Sequence, residues 1–127
     1  MPNLKSIGNT SLFAKSGITK VKNLGKITSI GGGWGANEGV FYGCASLSFV
    51  RLPNTLTSIG VQAFYNCSSL TTFIVEAETP PTLDSSALSN TNNCPIYVPD
   101  ASVDTYKNAS GWSSFASRIK PLSEYVE

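Results

Sequence analysis

The side chains that most often carry enzymatic or metal chemistry are thinly represented in this sequence. Histidine is absent, which removes Ser-His and Cys-His nucleophile pairs together with the commonest metal ligand. Lysine and carboxylate chemistry survive that exclusion. Glu76 and Glu78 stand two apart on an extended stretch and would face one side, as a general acid/base pair requires, but flanking solvated charges account for them more simply. Cys44, Cys67 and Cys94 lack the histidine or adjacent fourth ligand that would complete a zinc site. Their odd number leaves at least one thiol outside any disulfide. Gly31, Gly33 and Ala36 match the nucleotide-binding pattern G-x-G-x-x-A, yet no helix pattern follows them, so they make no phosphate cradle. Asn9, Asn66 and Asn108 open N-x-[ST] sequons that read as chance matches. The expectation is a chain without enzymatic activity, cofactor or metal.

What positions these residues is a repeat. Phe41 and Phe64, Tyr42 and Tyr65, Cys44 and Cys67, Ser46 and Ser69, Leu47 and Leu70, and Leu52 and Val75 are each 23 residues apart. A period in the low twenties with fixed apolar positions means that each unit buries one face only by stacking on its neighbours. The predicted fold class is therefore a β-rich solenoid. Cys44 and Cys67 occupy one repeat position and read as small apolar rungs of the core. Stacked at strand spacing they would lie close enough for a disulfide, so the thiol and the disulfide both remain open. Cys94 is out of phase with them and aligns with Ser48 and Thr71.

A second column confirms the phase. Ser-Ile-Gly occurs at residues 6–8, 29–31 and 58–60, and Leu83 continues the isoleucine column. The recurring glycine predicts a turn with positive φ. Each copy is expected to form one short strand over the pattern Leu47, Val50, Leu52, or Leu70, Phe73, Val75, with Ile96 and Val98 continuing the same columns. Pro53 and Pro99 follow the last strand residue, where a missing N–H ends the ladder without a gap inside it. The first copy is weaker: Phe13, Ile18 and Val21 fill columns, but Ser16 and Asn23 replace the cysteine and the strand leucine. The second copy carries about six extra residues within 31–39, Gly-Gly-Gly-Trp-Gly-Ala-Asn-Glu-Gly, predicted to loop out while the columns keep register. At the C-terminus Asp100 and Ser102 offer a helix start and Gly111 a break. Trp112, Phe115, Ala116 and Ile119 follow at i, i+3, i+4 and i+7 and predict a helix covering the last coil, stopped by Pro121. The expected organisation is one domain, residues 1–127, with coils at about 4–26, 27–55, 56–79 and 80–99 and a helical cap over 100–122.

Composition agrees with that architecture. With 127 residues, 41% apolar and 13% charged, there is material for one globular domain. No apolar run approaches the roughly 18 residues that span a bilayer. The first residues lack the pattern of a signal peptide, so the chain is expected to be cytoplasmic, or a truncated form whose export signal was removed. A net charge of +1 argues against nucleic acid as a partner. Charge is nonetheless uneven, with Lys5, Lys15, Lys20, Lys22 and Lys26 in the first 26 residues and seven of the eight acids from Glu76 onward. Solvated surface is the simpler account.

The unit Ala-Phe-x-x-Cys-x-x-Leu-x-x-Ile-x-Leu-Pro-x-x-Leu-x-x-Ile-Gly, here Phe41-Tyr-Gly-Cys44 through Gly60 and then Ala63-Phe64-Tyr-Asn-Cys67, resembles the BspA-like leucine-rich-repeat family. The segment CPIYVPDASVDTYKNASGWSSFASRIKPL resembles the closing segment of such proteins. The resemblance implies a right-handed leucine-rich-repeat coil from surface or secreted proteins of host-associated bacteria and some protists, used in adhesion or protein binding. It transfers no binding residues, because the shared positions are core. The function expected is a non-catalytic binding or adhesion module that meets a protein or glycan partner through its repeat surface and the Gly-rich loop. The alternative is a structural spacer or terminal fragment of a longer solenoid. Trp34, Asn37, Glu38, Tyr42 and Tyr65 are the candidate partner-binding residues. The uncapped first coil further predicts weak self-association, with its lysines opposing pairing of like ends.

Overall fold

Each repeat bends twice, because two of its stretches pair with the equivalent stretches of the next repeat. The computed structural model describes residues 6–7, 17–22, 24–31, 39–84 and 86–126. In chain order the strands are β1 (Ser6–Ile7), β2 (Lys20–Val21), β3 (Ser29–Ile30), β4 (Phe49–Leu52), β5 (Ser58–Ile59), β6 (Thr72–Val75), β7 (Thr82–Leu83), β8 (Ile96–Val98) and β9 (Ile119–Pro121). They form two sheets, ordered β1-β3-β5-β7 and β2-β4-β6-β8-β9, and every pairing is parallel. The result is a solenoid-like repeat with parallel sheets and no closed barrel.

The register follows the columns read from the sequence. Ile7 pairs with Ile30, Ile30 with Ile59 and Ile59 with Leu83, while Val21, Val50, Phe73, Ile96 and Ile119 form the corresponding column of the other sheet. Val21, Ile30, Val50, Ile59, Phe73, Leu83, Ile96 and Ile119 of these columns belong to one buried core, in which Phe41 stacks on Phe64 with ring centroids 5.2 Å apart. The extra residues between Ile30 and Phe41 do not shift either column, since Ile30 still faces Ile59 and the Phe41 amide still donates to the Ala63 carbonyl. Strands β4 and β8 end before Pro53 and Pro99, as the missing N–H of proline requires.

Four expectations are corrected. The repeat carries two strands rather than one, the second being Ser-Ile of the triplet. Its glycine is accordingly not a left-handed turn: Gly60 is absent from the residues with positive φ, and its N–H donates to the Ile30 carbonyl at 2.8 Å, extending the ladder. Leu47 and Leu70 are buried but lie just before β4 and β6, in turns where their amides donate to the Cys44 and Cys67 carbonyls. At the C-terminus the helix predicted over Trp112 to Ile119 divides. Residues Ser113–Arg118 are a kinked 3-10 segment, and Ile119 begins β9, which extends the sheet beside β8. Pairing offers the 119–121 backbone a ladder, whereas a helix would leave the β8 edge bare.

Where the repeat decays after Val75, side chains of the C-terminal segment satisfy the backbone. Tyr106, in helix α1 (Val103–Asn108), donates its hydroxyl to the Ala77 carbonyl; Ser102 donates to Glu78, and the Trp112 indole to Pro81, both at 2.7 Å. These carbonyls have no strand partner, so the side chains supply bonds that burial otherwise forbids them. Gly111, at φ 84°, turns the chain onto this surface, where an added Cβ would stand 2.5 Å from the Leu83 carbonyl oxygen. The chain then crosses the outer face of the second sheet. Tyr125 sits between Phe49 and Tyr97, with centroids 6.3 and 5.4 Å away, and the Ser123 amide donates to the Asp100 carboxylate at 2.9 Å. That bond holds the Asp100 pKa below the usual carboxylate range.

Candidate functional site

In the turns that follow the second and third triplets, neighbouring aromatic residues go opposite ways. Phe41 and Phe64 enter the core, and Tyr42 and Tyr65 stay half-exposed outside it. The two tyrosines stack with centroids 5.1 Å apart and planes within 4°, so the repeat period becomes a ladder of phenols. Beside them runs a column of left-handed residues: Gly43 (φ 66°), Asn66 (φ 61°) and Asn90 (φ 59°). Glycine and asparagine are the residues that take this conformation most readily. The Gly43 amide donates to the Tyr65 carbonyl at 2.7 Å and the Asn66 amide to Ser89 at 3.0 Å. Their side chains join as well, Asn90 Nδ2 donating to Asn66 Oδ1 at 2.7 Å. Asn92 Nδ2 donates to the Leu70 carbonyl at 3.3 Å.

Tyr42, Gly43, Ala45, Asn66, Ser68, Asn90 and Asn92 line an open groove without a charged side chain. Of the predicted binding residues, the structure brings together Tyr42 and Tyr65; Trp34, Asn37 and Glu38 lie outside the described residues. The asparagines were not anticipated as site residues. Their signal was present, since Gly43 and Asn66 share a repeat position and asparagine commonly substitutes for glycine in a left-handed turn.

The thiols are unlike reactive ones. Cys44, Cys67 and Cys94 are all buried, and Cys67 donates to the Phe41 carbonyl at 3.2 Å. Burial, with a smaller contribution from neighbouring Cys44, pushes the Cys67 thiol up to about 12. Burial raises Cys94 too, partly offset by Arg118. The thiolate is the nucleophilic form, and both shifts disfavour it. Glu76 is engaged with Arg51 in an ion pair of 2.8 Å at the surface, where such pairs contribute little to stability.

Among the described residues no helix is long and apolar enough to cross a membrane. A family model described as BspA type leucine rich repeat region matches residues 36–120, in 6 copies. No curated protein matches the chain.

Proposed function

This chain belongs to the BspA-type leucine-rich-repeat family, and from that premise we propose that it is a non-catalytic binding or adhesion module at the cell surface or secreted. Repeat domains of this kind suit protein interaction, because stacking gives a rigid, extended surface on which exposed residues recur in register. We read the chain as about four coils closed by a C-terminal cap over residues 100–122. The observation that carries the functional reading is the outward ladder of Tyr42 on Tyr65 beside Asn66 and Asn90: exposed aromatics and amides ordered by the core but not needed to fill it. The Gly-rich insertion within 31–39, with Trp34, Asn37 and Glu38, precedes Tyr42 in the sequence, and we read it as a further part of the surface offered to a protein or glycan.

The test is an array of extracellular-matrix proteins and glycans probed with the domain and with Tyr42→Ala, Tyr65→Ala and Trp34→Ala. The expected result is a partner that these variants lose while their melting temperatures stay near that of the parent. Absence of any partner, or retention unaffected by all three changes, refutes the reading. A marked fall in the melting temperature of Trp34→Ala would mean that Trp34 packs on the coil instead of serving the partner.

The spacer alternative draws on a different observation. Among the described residues β1 and β2 are each paired on one side only, and such an edge accepts a further strand.

A further inference from the structure

The neutral groove does not end at the asparagines. Asn90 and Asn92 also line a second depression with Asn93, Ser117, Phe115 and Arg118, so the two depressions adjoin there and together make a channel, lined mostly by neutral polar residues, from Tyr42 to the C-terminal segment. Arg118 is its only charged side chain. The guanidinium is held by neutral acceptors: Nε donates to the Cys94 carbonyl at 2.8 Å, and Nη2 donates to Thr91 Oγ1 at 3.0 Å and to Cys94 Sγ at 3.4 Å. Thr91 spends its own proton on the Leu88 carbonyl at 2.7 Å and so turns a lone pair to the arginine. Phe115 lies under the cation, 5.3 Å from the guanidinium carbon to the ring centroid. Among the described residues the only ion pair is Arg51 with Glu76. Arg118 therefore carries a half-buried, oriented and uncompensated charge, and its Nη1 donors are engaged by no residue among those described.

We propose that this channel binds an oligosaccharide bearing a carboxylate, with Arg118 receiving the carboxylate and Tyr42, Asn66, Asn90 and Asn92 meeting the sugar hydroxyls. The inference rests on the binding-module reading and names the class of ligand. Each step is chemical. Asparagine offers both donor and acceptor, and hydroxyls need both. In the Asn66–Asn90 pair one oxygen and one amino group are used internally, which leaves Asn66 Nδ2 and Asn90 Oδ1 outside that bond. A planar guanidinium with free N–H groups matches a carboxylate. A single cation is too little for nucleic acid, whose binding depends on several phosphate contacts. A peptide would want an apolar anchor pocket, and the large apolar residues of the second depression supply none, since Leu88 is buried in the core and the Phe115 ring lies against the Arg118 guanidinium.

The experiment is calorimetry on the full chain with three acidic sugars that present the carboxylate differently: an oligogalacturonate, a hyaluronan oligosaccharide and sialyllactose, each against its methyl ester. Esterification removes the charge and keeps the hydroxyls. The expected result is binding of at least one acid, with its ester weaker by on the order of tenfold or more, as for a charged hydrogen bond. Arg118→Gln should abolish the difference between acid and ester. Because Arg118 also ties down the Cys94 carbonyl, Asn90→Gly serves as a second variant at an exposed position: glycine keeps the left-handed backbone at φ 59° and removes the amide, so acid and ester should both weaken by a few fold while the melting temperature stays near that of the parent. Equal binding of acid and ester, a preference that survives Arg118→Gln, or no binding of any of the sugars overturns the proposal. Capture of a matrix protein on the array with no sugar bound would overturn it while leaving the binding-module reading in place.

Discussion

Trp112 offers the sharpest test of how the C-terminal segment holds the last repeat. Its side chain is fully buried, its ring meets Tyr106 edge-on at 5.1 Å and 77°, and its indole N–H donates to the buried Pro81 carbonyl. Trp112→Phe keeps an aromatic ring but strands that carbonyl, which costs about 1–3 kcal/mol for a buried unsatisfied group. Trp112→Ala removes the ring as well and should cost about 3–5 kcal/mol. Domains have only about 5–15 kcal/mol in all, so the alanine variant forfeits a large share. At about 4 °C per kcal/mol for a chain of this size, its midpoint should fall by roughly 12–20 °C. Urea unfolding followed by circular dichroism gives both values, and Tyr106→Ala with Trp112→Ala completes a double-mutant cycle that removes each ring in turn. Direct ring contact predicts a coupling of about 0.5–1.5 kcal/mol between the two aromatics. A Trp112→Phe variant within about 0.5 kcal/mol of the parent would refute the argument, because the stretch after Val75 would then not depend on the indole bond.

Three further outcomes follow from the same structure. Cys67 titrates near 9.0 when unfolded and at about 12 when folded, so its contribution is intact below 9.0 and is lost as the pH rises from there toward 12. Stability should fall as the pH rises from about 9 toward about 12 in urea melts, less steeply in Cys67→Ala; equal slopes would remove Cys67 as a cause. Gly39→Ala would place a Cβ 1.8 Å from the Gln62 carbonyl oxygen, a backbone contact that no rotamer relieves, and should cost at least about 1–3 kcal/mol; an unchanged melting temperature would contradict the close approach of these turns. Weak self-association through the first coil should show in sedimentation velocity over a concentration series, declining with salt if lysine-to-acid contacts carry it and unaffected if apolar burial does; a strict monomer throughout would dismiss it.

The sequence by itself determined the columns. Phe41 over Phe64, Cys44 over Cys67, Ile30 over Ile59 and Val50 over Phe73 over Ile96 are legible because a stacked repeat can bury its apolar residues only when equivalent positions coincide. The stacked Tyr42 and Tyr65 were legible for the same reason. What local pattern could not decide was the use of backbone hydrogen bonds. Ser-Ile-Gly is too short to announce a strand, and only the neighbouring Ser-Ile-Gly gives it a ladder. The spacing from Trp112 to Ile119 fits a helix, yet the open edge of β8 draws Ile119 into the sheet. The channel was legible only in part, because Asn66 and Asn90 stand about one repeat apart, 24 residues, whereas Arg118 lies 28 residues further on and outside the repeat. They face a common channel through three separate causes: the left-handed turns at the two asparagines, the stacking of the turns that carry them, and the return of the C-terminal segment along β8, which sets Arg118 against Thr91 and Cys94. The apolar period is a property of each unit and its neighbour, and so is written locally. The placement of Arg118 depends on where the chain goes after the repeat ends, which is decided by the surface the finished repeats leave open.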